Sequence, residues 1–346
     1  MRADGAGPDA SDPNDPGEPI DIRDFREFDA AVPARVHVVG VGGAGMSAIA
    51  LVLAGMGHSV SGSDLKATPV LERLGLAGVV TCVGHRPENV AEGTGFVVIS
   101  TAVPPTNPEV LAARERGIPV LRRAEVLSAI VATRRCAAVA GSHGKTTTSS
   151  MLALVLRSAG FRPGFIIGGE LNEIGTNAAW DSGEWIVVEA DESDGTFLEL
   201  DVEAAVVTNV EPDHLDHYGG FDQLVDGFHR FCGAVEGPLV VCADDPIAAR
   251  LAESCPGALT YGVAEGAEYR MAGYAGEKGE QVRSAARRPS AGGDPAPGPG
   301  PAQRQECGGR GGSRSRWGPA SRTSPPRSPA SAVSPGGSSI ADVPRV

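Results

Sequence analysis

Between residue 35 and about residue 270 the chain alternates short apolar runs with longer stretches whose apolar residues recur at helical spacing. The runs at 36–39, 59–61, 96–100, 119–121, 136–140, 185–189, 204–208 and 238–242 are mostly followed by Gly, Ser, Asn or Asp, which predicts strands that turn into helices. Such alternation builds a parallel sheet covered by helices, so the expected class is α/β.

The pattern breaks in two places. A helix-like run at 124–131 ends just before a new strand that feeds a second glycine-rich turn, which predicts a domain boundary near 132–135. A second change comes near Gln281. From 283 to 346 there are ten Arg, no Lys and three acids among long Pro, Gly and Ser stretches, a composition that cannot bury enough apolar surface to offset its ordering entropy. The expected organisation is an acidic leader at 1–34, a first domain at 35–133, a second at 134–282 and a low-complexity tail at 283–346. The tail reads either as a natural basic extension or as a shifted reading frame. A GC-rich gene read out of frame yields Arg, Pro, Gly, Ala and Ser, and this tail has one Ile and no Phe, so the frameshift is the preferred expectation.

A net charge of -13 argues against a nucleic-acid binder, which needs a basic face. The six cysteines form no CxxC pair, so neither a zinc ribbon nor a disulfide framework is expected, and reduced cytoplasmic thiols are. The first thirty residues carry nine acids and three arginines and are not a signal peptide. No apolar run approaches the roughly 20 residues that span a bilayer, so a soluble chain without membrane insertion is expected.

Four motifs could carry chemistry. Gly40, Gly42 and Gly45 form a G-x-G-x-x-G array, with Gly43 and Ala44 inside it, between a strand and a helix expected from Met46. Glycines there let the backbone approach a phosphate at the helix N-terminus; a dinucleotide or mere tight packing would account for the array as well. Asp64, about twenty residues on, stands where an acid meets a ribose hydroxyl, although Ser63 or Asp64 as a helix N-cap is an equal reading. The second motif, Gly141, Ser142, His143, Gly144, Lys145, Thr146 and Thr147, precedes a helix expected near Ser149. It resembles a phosphate loop whose amides wrap phosphates, with Lys145 neutralising the terminal ones and Thr146 offering a hydroxyl to magnesium. The third, Glu189, Asp191, Glu192 and Asp194, packs four acids at the carboxyl end of a strand, which suits a magnesium site or a solvated turn. The fourth runs from Thr208 and Asn209 to His214 after the next strand, where His214 is a candidate metal or phosphate ligand.

With these motifs the chain resembles the Mur ligase family over about residues 36–262, in the branch that joins L-alanine to UDP-N-acetylmuramate. The acidic E-A-D-E-S-D string separates that branch from ligases adding later residues. The resemblance implies a Rossmann-like first domain that binds the UDP-sugar and not a dinucleotide, with Gly40, Gly42, Gly43, Ala44, Gly45 and Met46 on the uridine diphosphate and Ser63, Asp64, His85, Ser100 and Thr101 lining the site. It implies a central P-loop-type α/β domain that binds ATP through residues 141–147 and Asn209. Thr146 and Glu189 would hold one Mg2+ and His214 a second, and Lys145, Glu189 and His214 would carry the chemistry. The implied reaction is acyl activation: ATP converts the muramyl carboxylate to an acyl phosphate, and the amine of L-alanine displaces phosphate, in cytoplasmic peptidoglycan precursor synthesis for cell-wall biogenesis, cell shape and cell division.

Family members continue past residue 282 with the rest of the ATP domain and a third domain, neither of which is found here. The expectation is therefore a truncated or frameshifted ligase with an incomplete central domain, able at most to bind the UDP-sugar. The alternatives are a nicotinamide dehydrogenase, which would leave the Lys145 loop unused, a non-catalytic UDP-sugar-binding or regulatory module, and a relative that attaches a preformed peptide during wall recycling. No protein partner is readable.

Overall fold

The computed structural model describes residues 28–171, 174–193, 195–213, 215–272 and 284–287. The acidic leader up to residue 27, most of the expected tail and His214 lie outside the described residues.

The first sheet holds β1 (Arg35–Val39), β2 (Ser59–Asp64), β3 (Val80–Val83), β4 (Phe96–Ile99) and β5 (Val120–Arg122), all parallel, in the order β3-β2-β1-β4-β5. Four helices connect or follow them: α1 (Ala44–Gly55), α2 (Pro69–Leu76), α3 (Pro108–Glu115) and α4 (Arg123–Val131). The central strand β1 is buried from Val36 to Val39, which explains the valines at 36, 38 and 39, and the His37 among them is buried as well.

The second sheet runs β14-β13-β12-β11-β10-β6-β9-β7-β8. Its strands are β6 (Arg135–Ala140), β7 (Gly164–Leu171), β8 (Thr176–Ala179), β9 (Trp185–Glu189), β10 (Ala204–Val207), β11 (Leu239–Cys242), β12 (Leu259–Gly262), β13 (Tyr269–Ala272) and β14 (Ser284–Arg287). All neighbours are parallel except the pairs β7–β8 and β13–β14. The helices are α5 (Lys145–Ser158), the single turn α6 (Leu215–Tyr218), α7 (Phe221–Ala234) and α8 (Pro246–Ser254). The α/β class with parallel sheets holds as expected. Two helices begin earlier than the sequence suggests: α1 at Ala44 and α5 at Lys145, which brings Lys145 and Thr146 into the first turn of α5.

Helix α1 is apolar on nearly every side because it packs against the first sheet on one side and β7 and β8 on another. Gly55 permits this contact, since a Cβ there would stand 2.7 Å from Trp180 Cβ. At the start of α1, the Asn177 side chain of β8 donates to Ala44 O at 3.0 Å. Helix α4 is tied to the second sheet's layer by Ser128 Oγ donating to Glu199 O at 2.9 Å.

The cysteines among the described residues are free, and burial pushes Cys136 and Cys232 up to about 12, which keeps both as unreactive thiols. Among the described residues no helix is long and apolar enough to cross a membrane.

Under α7 the second layer is filled by Phe197, Phe228 and Phe231, with Phe197 centred 5.2 Å from each of the other rings. Phe197→Ala removes the shared member of this stack and is expected to destabilise the fold by about 3–5 kcal/mol. Urea denaturation checks this, and a loss under about 1 kcal/mol would show that the rings do not form a common core.

Candidate active site

At the carboxyl end of the first sheet lies a cleft of about 700 Å³. Its walls include Gly40, Gly43, Ala44, Gly45 and Met46 from the turn into α1, and Asp64, His85 and Ser100 from the ends of β2, β3 and β4. Gly42 stands behind the wall, where a Cβ would meet Asp64 Oδ2 at 2.7 Å. Its amide donates to that same oxygen at 2.9 Å, so Asp64 braces the glycine turn from the neighbouring strand. The helix-cap reading of Ser63 and Asp64 is overturned: both belong to β2, and α2 begins only after Thr68. Ser63 is fully buried beneath the cleft, and Thr101 is exposed and outside its walls.

The sequence reading missed Glu109. Asn107 caps α3 by accepting from the amides of Glu109 and Val110, so Glu109 looks like an ordinary first-turn acid. Its carboxylate is instead fully buried and surrounded by donors. Ser63 Oγ donates to Oε2 at 2.6 Å and His85 Nδ1 lies 3.2 Å from it, while Asn89 Nδ2 and the Arg86 amide donate to Oε1 at 2.6 and 3.3 Å. His37 Nε2 stands 3.6 Å away, beyond hydrogen-bond length, and its Nδ1 meets Ser61 Oγ at 2.9 Å. Burial alone would raise the Glu109 carboxyl, but His37, Ser63 and Asn89 outweigh it and hold the group at about 2.

The second site surrounds the loop between β6 and α5. Gly141 has φ +135°, and a Cβ there would stand 2.0 Å from Thr208 Oγ1, so both the backbone conformation and the space require glycine. Gly144, at φ 79°, turns the chain into the helix. The loop is tied to the segment after β10. Asn209 Oδ1 accepts from the His143 amide at 2.8 Å and Nδ2 donates to His143 O at 2.9 Å, while Ser142 Oγ accepts from the Glu211 amide at 2.9 Å. His143 and Thr147 are exposed at the loop's outer side.

Lys145 Nζ donates to Gly141 O at 2.7 Å and to Ser142 O at 3.2 Å, and lies 2.9 and 2.8 Å from the two oxygens of Glu192. Glu192 is 1% exposed, and its burial pushes the carboxyl above its ordinary value despite the lysine. Thr146 Oγ1 donates to Glu189 Oε1 at 3.0 Å, and Gly168 N donates to Oε2 at 2.6 Å. The acidic string is thus not one cluster. Glu189 faces Thr146, Glu192 is buried on Lys145, Asp191 accepts from the Ser193 amide at 3.0 Å, and Asp194 lies outside the described residues. A hydroxyl beside a carboxylate supplies the hard oxygens that magnesium takes. Among the described residues no three His, Cys, Asp or Glu gather as a metal cage.

Glu109 gives a pH prediction. A carboxyl at about 2 in the fold and 4.5 outside it contributes stability that is present above pH 4.5 and lost as pH falls toward 2. At 1.36 kcal/mol per unit the contribution is about 3 kcal/mol at most. Glu109→Gln is expected to destabilise the fold by up to that amount at pH 7, and the difference from wild type should shrink below pH 4.5. Denaturation series across pH check it, and a difference independent of pH would mean that Glu109 is not ionised in the fold.

Comparison with known proteins agrees with this geometry. Residues 35–135 match the Mur ligase family, catalytic domain, and residues 139–287 match the Mur ligase middle domain, together more than half of the chain. The UDP-N-acetylmuramate–L-alanine ligase of Rubrobacter xylanophilus is 53% identical over 235 residues, 67% of this chain and 52% of that protein. That of Saccharopolyspora erythraea is 49% identical over 259 residues, 72% of this chain and 53% of its own length. The crystal structure of UDP-N-acetylmuramate-alanine ligase from Thermotoga maritima superposes with a TM-score of 0.62 at 30% identity, covering 68% of this chain and 54% of that one. The UDP-N-acetylmuramate:L-alanyl-gamma-D-glutamyl-meso-diaminopimelate ligase from Neisseria meningitides gives a TM-score of 0.60 at 28% identity, covering 67% and 78%. The chain spans about half the length of the curated relatives it matches. Two glycine turns at the carboxyl ends of two parallel sheets, one with Asp64 behind it and one opening on Lys145 and Thr146, occur here within two matched domains of one family, and the chain belongs to the Mur ligase family.

Proposed function

We propose that residues 35–133 bind a UDP-sugar and residues 134–282 bind ATP, as parts of a cytoplasmic ligase that joins L-alanine to UDP-N-acetylmuramate in peptidoglycan precursor synthesis. The observation that carries this reading is the arrangement at α5: a glycine-bounded loop, Lys145 and Thr146 in the first helical turn, and Glu189 on the neighbouring strand 3.0 Å from the Thr146 hydroxyl. The alanine branch is favoured over the peptide-attaching one because the relatives at about 50% identity are L-alanine ligases, whereas the peptide ligase is 28% identical.

In this reading the free amides at the start of α1 receive the diphosphate of the sugar nucleotide. Amides of Gly144 and the first turn of α5 and the Lys145 ammonium hold the ATP phosphates, while the Ser142 and His143 amides are taken by Asn209, which fixes the loop from behind. Magnesium, held by Thr146 and Glu189 and with His214 for a second ion, supplies neutralisation of phosphate charge when bound. A muramyl carboxylate oxygen attacks the γ-phosphorus and the bond to ADP breaks. The amine of alanine then attacks the acyl carbon, phosphate leaves with the oxygen, and the amine gives up a proton. Positioning and charge neutralisation do this work, so no enzyme nucleophile is required.

Isothermal titration with UDP-N-acetylmuramate, ATP with Mg2+, and NAD tests the assignment. Both of the first two should bind and NAD should not. Lys145→Ala is expected to weaken ATP by about ten- to a hundredfold, as for a lost charged hydrogen bond, while changing the UDP-sugar affinity less than twofold. Binding of NAD in place of the UDP-sugar would overturn the reading.

A further inference from the structure

We infer that Glu109, which no ligand can touch, is a positioning residue that sets His85 to donate from Nε2 to a phosphate of the bound nucleotide. The inference rests on the UDP-sugar reading of the first cleft and deepens it.

The argument begins with donors and acceptors. An ionised carboxylate only accepts, and Glu109 stands among Ser63, His85, Asn89 and the Arg86 amide, each with a hydrogen to give. Ser63 spends its hydroxyl hydrogen on Glu109 at 2.6 Å, so toward His85 Nδ1, 3.0 Å away, it can only accept. Both neighbours of Nδ1 are therefore acceptors, and Nδ1 must carry a proton. This fixes the ring's orientation and leaves Nε2 as the polar atom of a ring that lines the cleft together with Gly43, Ala44 and Gly45.

With Nδ1 protonated, a neutral ring would offer a lone pair at Nε2, which repels a phosphate oxygen and suits only a donor. Donation to a phosphate oxygen therefore takes a second proton on the ring, with the buried carboxylate behind Nδ1 as the counter-ion of that form. The same arrangement keeps the negative charge of Glu109 away from the ligand, because that charge is compensated by its own shell before the nucleotide arrives. Arranged this way, the site discriminates by phosphate: the device strengthens a nucleotide that carries phosphate and leaves the nucleoside unaffected.

The test compares UDP-N-acetylmuramate with uridine on the full chain. Glu109→Gln should weaken the UDP-sugar by about ten- to a hundredfold and uridine less than twofold, and His85→Ala should do the same. Adding Glu109→Gln to His85→Ala should cost less than a further twofold, because the glutamate acts through the histidine. Equal losses for uridine and the UDP-sugar, or fully additive losses in the double variant, would overturn the inference. Should Glu109→Gln fail to fold, nitrogen-15 spectra of wild-type His85 with UDP bound decide: protons on both ring nitrogens support it, and either nitrogen unprotonated ends it. Wild type that binds neither the UDP-sugar nor UDP would instead remove the proposed function of the cleft.

Discussion

Both sites depend on where the strand order of a parallel sheet reverses. In the first sheet β1 lies between β2 and β4, and in the second β6 lies between β9 and β10. Connections from such a central strand leave to opposite sides and open a crevice at its carboxyl end. Parallel strands also deliver all their carboxyl ends to one edge. The turn after β1 therefore meets Asp64 from β2 and Ser100 beyond β4, and the loop after β6 meets Glu189 from β9 and Asn209 beyond β10. Ser142 and Glu211, 69 positions apart, become neighbours in this way.

What the topology brings close, the side chains then hold fixed. Asp64 takes the Gly42 amide, and Asn209 takes and gives a hydrogen bond at His143, so each loop's shape is set by the adjacent strand. The loop need not be ordered by its ligand, and the amides of the first turns of α1 and α5, unpaired within their helices, are already directed outward.

This division explains what could be read from the sequence. The glycine turns were legible because their requirement is local: Gly141 needs its backbone conformation and its missing side chain whatever lies around it. Central strands were legible as apolar runs, but β3 was not, since Val80 and Val83 are exposed at an edge and the strand has no apolar face. β7, with Gly168 and Gly169 inside it, also lacked a strand's pattern, although Gly168 is small so that its backbone can reach Glu189. Helix α1 announced that it would be buried, but not that β7 and β8 would cover it. Glu109 and Glu192 were illegible in a stricter sense. Each sits in local sequence typical of an exposed acid, and only tertiary contacts turn it inward.

These two buried acids behave differently, and the contrast follows from their partners. Glu109 faces neutral hydroxyl, amide and backbone donors besides two histidines, and its charge is spread over four close contacts, which overcome the cost of burial. For Glu192 burial remains the larger effect against the Lys145 ammonium and a backbone amide, and Asp191 adds to it. A buried carboxylate that loses its only cation becomes costly, unless it takes up a proton or water reaches it. The other two contacts of Lys145 are to carbonyl oxygens of its own loop. Drawing the ammonium toward an anion would therefore leave Glu192 to take up a proton or water, whereas the carboxylate of Glu109 is held by four contacts from its own domain.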